Sequence, residues 1–187
     1  MTNMEFDINR VIKKGKIDNE LDYQRALISN RKLRVQSQDN PDLQVLRDKL
    51  LIILKQYQDE NWKDYESISD EKVKESDLAE YIAEKEREFT KRRKQIIKKR
   101  LKDLNLNQQQ LGSILGHRKP YTSELINGVR PFSMKDIVIL NRILNIDLNE
   151  LVPTILSTKV RNEIAYTIKK LNNPHLKKLS KEDLEPA

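Results

Sequence analysis

Cysteine is missing from the 187-residue chain, which excludes disulfides, thiolate nucleophiles and Cys-ligated zinc. Histidine occurs only twice, at His117 and His175, so no paired-histidine metal site exists and a catalytic triad has little to draw on. Four glycines and six prolines are too few for a chain of many short strands and tight turns. Aromatic residues make up only 5%, so a core has to be built mainly from Leu and Ile. Neither a Walker-type nor a dinucleotide-type Gly-rich phosphate loop is present. There is no apolar run of about 18 residues and no apolar signal stretch near the N-terminus. These absences predict a soluble, cytoplasmic, all-α protein of one or two small domains, with no enzymatic activity, metal, cofactor or membrane partner.

What is abundant is charge, and it is unevenly placed. Residues 1–58 carry 11 basic and 8 acidic side chains, residues 59–88 carry 5 and 12, and residues 89–187 carry 20 and 9. The formal net charge of +7 therefore hides an acidic block followed by a strongly basic region. Such a reversal predicts two regions with different partners, the basic one a polyanion binder.

Four segments are expected. Residues 1–58 form an N-terminal helical region: a helix within 5–36, with Asp18 as candidate N-cap and Leu21, Ala26, Leu27 and Leu33 on one side, then a second helix opened by Asn40, Pro41 and Asp42. Leu43, Leu46, Leu50, Ile53, Leu54 and Tyr57 give the second helix an apolar stripe, most simply buried in an antiparallel hairpin. Residues 59–90 form an acidic connector and helix, with Trp62 a half-buried anchor and Asp77 the expected cap of a helical segment running to Leu104. That segment is either one helix or two broken near Phe89 and Thr90, where the charge changes sign. Residues 91–153 form a compact five-helix module. Residues 154–187 hold an amphipathic helix on Val160, Ile164, Ile168 and Leu171, ended by Asn172-Asn173-Pro174 and followed by a charged, frayed tail.

Within 91–153, eight of the twelve residues from Lys91 to Lys102 are basic. Ile96, Ile97, Leu101 and Leu104 keep helical spacing among them, which predicts a folded helix with a basic face near phosphates. LNLNQQQLGSILG then reads as a turn and a short helix with Asn107 as N-cap and Gly116 as stop. HRKPYTSELING is a second short helix, with Pro120 in its first turn and Gly128 at its end. His117 falls in the turn between them, where it is expected to be solvent-exposed. Ser133 caps the apolar MKDIVILNRILN, and Asp147 opens a last turn closed by Pro153. Leu111, Leu125, Ile137, Leu140 and Leu144 are the expected core.

The run LNLNQQQLGSILG, then SELINGVRPFS, then an apolar helix ending NIDLNELV resembles the lambda-repressor-like helix-turn-helix proteins of the Xre family. LDYQRAL and NPDLQVLRDKLLIILKQYQDE resemble the N-terminal helices that precede this module in HigA-like antitoxins. The resemblance implies an N-terminal helical hairpin, a five-helix lambda-repressor-like domain and a C-terminal helix. It also implies a recognition helix whose outward positions meet base edges in the major groove: Lys119, Tyr121, Glu124 and, less centrally, Ser123. Thr122 falls at a position usually buried. Asn107 and Gln108 match positions that clamp a phosphate, and Arg118, Asn127 and Arg130 flank the recognition helix as further phosphate contacts.

The implied function is a transcriptional repressor that binds an inverted-repeat operator in double-stranded DNA as a homodimer. As an antitoxin it would also neutralise a RelE-like ribonuclease toxin and repress the shared promoter. A stand-alone or phage-type regulator is the alternative within DNA binding. A helical protein-interaction module with a merely solubilising basic helix is the alternative outside it.

Overall fold

The computed structural model describes residues 5–64, 66, 68–156, 158–173, 175 and 176, and among these the only regular structure is helical. A first short helix, α1 (Ile8–Lys14), is capped by the Asp7 side chain and stopped by Gly15, whose φ of 74° is readily adopted only by a residue without a Cβ. This break divides the 5–36 segment. The next helix, α2 (Glu20–Gln36), is capped by Asn19, whose side chain accepts from the Asp22 amide, and not by Asp18. Asp18 instead pairs with Lys14 and Lys16. A one-residue shift of this kind is invisible in a run of two adjacent capping residues.

A 3-10 turn at residues 37–39 leads to α3 (Pro41–Asn61), opened as expected by the Asn40 side chain and Pro41. Leu43, Leu50, Ile53, Leu54 and Tyr57 of α3 are buried together with Ile8, Tyr23, Ala26 and Leu33. The Tyr23 and Tyr57 rings stack at 4.7 Å, which sets the start of α2 beside the end of α3 and makes the pair antiparallel. Glu20, at the positive end of α2, fastens this corner. Its carboxylate accepts from Tyr57 Oη and Trp62 Nε1, both at 3.2 Å, and from Ser76 Oγ at 3.0 Å. Trp62 is thereby the half-buried anchor that its position predicts.

The structure corrects the connector. Helix α4 (Asp70–Asp103) is a single element of 34 residues capped by Ser69, so Asp77 lies inside it. It also passes through Phe89 and Thr90 without a break: Phe89 is buried, and Thr90 Oγ1 donates to the Glu86 carbonyl four residues back instead of capping a new helix. The expected edge at residue 90 therefore falls within a continuous helix. Its acidic half packs along α2, with Arg25 bridging to Glu86. Its basic half enters a second core.

That second core gathers Ile97 and Leu101 of α4 with residues from four short helices: α5 (Gln108–Leu115), α6 (Lys119–Ile126), α7 (Met134–Leu144) and α8 (Leu148–Leu151). Leu111, Leu125, Ile137, Leu140 and Leu144, the core expected from spacing, are all buried. The all-α class with a lambda-repressor-like module is the fold found.

The two cores are joined by Arg93, which is only 2% exposed. Its guanidinium donates to both Glu5 carboxylate oxygens, at 2.6 and 2.9 Å, and to the Leu151 carbonyl at 2.8 Å, between the Phe89 and Phe132 rings. Arg93 is thus withdrawn from the basic face on which its neighbours Lys91 and Arg92 lie exposed. Beyond the module lies α9 (Thr158–Leu171), where Ile164 and Ile168 are half-buried but Val160 and Leu171, expected on the same apolar face, are exposed, as is Tyr166. The charged tail lies outside the described residues. Among the described residues no helix is long and apolar enough to cross a membrane.

Candidate nucleic-acid interface

Helix α5 begins with a complete capping box: the Asn107 side chain accepts from the Gln110 amide at 2.9 Å and the Gln110 side chain accepts from the Asn107 amide at 2.8 Å. The Gln108 side chain stands next to this end, half-buried, in a groove shared with Lys98 and Lys102. Asn107 and Gln108 therefore sit where a positive helix terminus and two ammonium groups coincide, a natural seat for a phosphate. Close by on α4, burial and the neighbouring Lys98 ammonium lower the pKa of Lys94.

The turn from α5 into α6 is set by Gly116 at φ 77° and by close packing of the two helices. A Cβ on Gly112 would stand 2.6 Å from Thr122 Oγ1 and 3.0 Å from the His117 carbonyl, so only glycine lets α6 come this near. Thr122 is fully buried, and its hydroxyl donates to the Arg118 carbonyl.

His117 departs from expectation. It is half-buried, with Nε2 2.9 Å from Asp136 Oδ1 and its ring edge-on to Tyr121 at 4.9 Å. Asp136 in turn accepts from the Ser133 amide and hydroxyl, closing the capping box of α7. A turn histidine is thus drawn inward because α7 offers a buried carboxylate beside it. Pattern reading misses this, since nothing local links residues 117 and 136.

On α6 the N-terminal end is the open one. Arg118 supplies no side-chain cap, and Arg118, Lys119, Pro120 and Tyr121 are exposed. Ser123, Asn127 and Arg130 are half-buried, and Asn127 Nδ2 donates to Ser123 Oγ at 3.2 Å. Glu124 is buried, only 9% exposed, with its carboxylate hydrogen-bonded to Arg130 Nε. The Arg130 guanidinium also lies over the Tyr121 ring at 5.3 Å. The structure thus brings Tyr121, Arg130 and Glu124 together, with Lys119 exposed in the first turn of α6. The Arg130–Glu124 pairing follows from Gly128, whose φ of 66° turns the chain back over α6.

Residues 97–151 match the helix-turn-helix family model. The match spans under a third of the chain and coincides with the second core, from Ile97 to Leu151. It supports a DNA-binding transcriptional regulator. No curated protein and no solved structure matches the chain.

In the helix-turn-helix module an element missed from sequence is the contact at its far side. Val129, just after α6, is buried in the N-terminal core, and Lys32 of α2 donates to the Gly128 carbonyl at 3.2 Å. The C-terminal end of the candidate recognition helix is therefore held by α2, not by the module alone. The residues concerned are 96 positions apart, and neither carries a local signal.

Proposed function

We propose that the protein is a sequence-specific transcriptional repressor, and that it acts as a HigA-like antitoxin that autoregulates its operon and neutralises a RelE-like ribonuclease. The observation that carries the DNA-binding part is the exposed N-terminal end of α6, with Arg118, Lys119 and Tyr121 in solvent. In this reading Lys119, Tyr121 and Ser123 meet base edges. Lys119 donates to guanine O6 and N7. Asn107, Gln108, Arg118, Asn127 and Arg130 hold phosphates and fix the register. Glu124, expected from sequence to meet cytosine, acts here through Arg130: a buried carboxylate that aims a guanidinium at the backbone.

One α6 reads only a few base pairs, so a homodimer on an inverted repeat doubles the contact across half-sites one helical turn apart. The antitoxin role is supported by the order of α2, α3 and the module in the chain, and by the acidic, exposed flank of α4. Asp70, Glu71, Asp77, Glu80 and Glu88 lie there in solvent, complementary to a basic toxin.

The test is a mobility-shift titration on the DNA upstream of the protein's own gene at about 50 mM salt, where phosphate contacts are strong, with and without the neighbouring gene product. Saturable binding whose log affinity falls linearly with log salt supports the repressor. No binding there refutes it. A neighbouring protein that fails to bind the full chain refutes the antitoxin part alone.

A further inference from the structure

Between α2, the middle of α4 and the turn after α6 lies a cavity of about 60 Å³. A single water needs roughly 10–15 Å³ measured in this way, so the space admits a solute of about four or five heavy atoms. Its walls are charged. Glu86 is neutralised by a two-point pair with Arg25, and Glu5 by Arg93. Arg87 pairs outward with Glu84, and Arg130 with Glu124. Lys32 differs from these. Among the described residues no ion pair includes it, and the acceptor on its ammonium is the neutral Gly128 carbonyl.

We propose that this cavity binds a compact oxyanion, a small carboxylate or an inorganic oxyanion of similar size, through the Lys32 ammonium. An ammonium has three donors, of which the Gly128 carbonyl takes one. A sequestered cation with no counter-ion is costly, and an anion in the cavity removes that cost. The carboxylates of the walls are already held by guanidinium groups, so they do not compete for Lys32. Ser29 and Thr90 line the same walls, but their hydroxyls donate to the Arg25 and Glu86 carbonyls, which leaves the Lys32 ammonium as the donor for an anion. Burial, reinforced by the nearby Arg93 and Arg87 and only partly offset by Glu5 and Glu86, pulls the Lys32 pKa down to about 8. The site needs no DNA, so it stands or falls separately from the repressor reading.

The experiment is calorimetric titration of the full chain with sodium acetate and, separately, sodium sulfate, replacing sodium chloride at constant ionic strength. Acetate and sulfate distinguish a carboxylate ligand from an inorganic oxyanion. Saturable binding of one of them at pH 7 is expected, lost in Lys32→Met, retained in Lys32→Arg and unchanged in Lys55→Met, which alters an exposed lysine of α3. Should Lys32→Met fold poorly, the unmodified chain supplies the test by pH. Between pH 7 and 9.5 the Lys32 ammonium is lost, so the dissociation constant should rise about tenfold or more. Equal binding by wild type and Lys32→Met, equal binding at the two pH values, or no saturable binding of either anion overturns the site.

Discussion

Gly112→Ala tests the packing that creates the recognition surface. In an open helix this change stabilises by about 1 kcal/mol, through helix propensity. Here the added methyl would meet Thr122 Oγ1 at 2.6 Å and the His117 carbonyl at 3.0 Å. Neither neighbour gives way easily. Thr122 is β-branched, fully buried and hydrogen-bonded to the Arg118 carbonyl, and the His117 carbonyl belongs to the turn itself. Overpacking of this kind costs about 1–3 kcal/mol, and rotating Thr122 away forfeits a hydrogen bond worth about 1 kcal/mol more. The expected net effect is a loss of about 1–3 kcal/mol, or about 2–4 °C in Tm per kcal/mol for a chain of this size. Thermal and urea unfolding measure it, and a mobility shift taken well below the Tm reads the displacement of α6 as weaker operator binding. In a Thr122→Ala background the methyl should cost distinctly less, though not nothing, because the His117 carbonyl remains. A Gly112→Ala protein that is more stable than wild type, or an equal cost in both backgrounds, would refute the close-approach argument.

Three further outcomes follow from the same geometry. Lys119→Ala should weaken binding to the specific operator by about 1–3 kcal/mol and leave non-specific DNA nearly unaffected, whereas Gln108→Ala should weaken all sequences alike; competition titrations separate the two. Arg93→Ala should destabilise by about 3–5 kcal/mol, since it strands Glu5 and the Leu151 carbonyl and opens a void between Phe89 and Phe132; a Tm within 2 °C of wild type would show that the two cores do not depend on this joint. For pH, the depressed pKa of Lys32 means that the unfolded chain binds its proton more tightly. Its contribution to stability therefore rises from about pH 8 towards the ordinary lysine value near 10.5. Tyr57 acts in the opposite sense: burial and the adjacent Glu20 carboxylate raise its pKa, so its contribution falls above about pH 10. Denaturant midpoints across pH 7–11 should show both limbs, with Lys32→Met flattening the first and Tyr57→Phe the second.

The helices with a capping residue at one end and glycine or proline at the other could be read locally. Asn40-Pro41, Asn107, Gly116 and Ser133 each act through groups within four residues, and each is where the pattern put it. The long helix could not be bounded in this way. Around Ser69, Asp70 and Asp77 several good caps compete, and the choice goes to the one that lets Ser76 meet Glu20 and Ala79, Ile82 and Ala83 be buried. Phe89 and Thr90 looked like a break because the charge reverses there, but a helix accepts a change of charge without cost to its backbone. Glu124 likewise has the polarity of a base-reading residue; only the turn at Gly128, which returns Arg130 over α6, shows what its carboxylate holds.

Composition and periodicity by themselves determined that this chain is all-α, without thiol chemistry, and that a helix-turn-helix lies between a basic helix and Pro153, because those properties depend on spacings of three and four residues and on local caps. Tertiary structure alone decided which charges are available. Of the basic run, Arg93 is taken into the joint between the cores. Lys32, in a helix with no sign of a role, is set against the end of the recognition helix. Burial and ion pairing depend on residues far apart in the chain, and no local pattern encodes which of two similar cations will be left without a counter-ion.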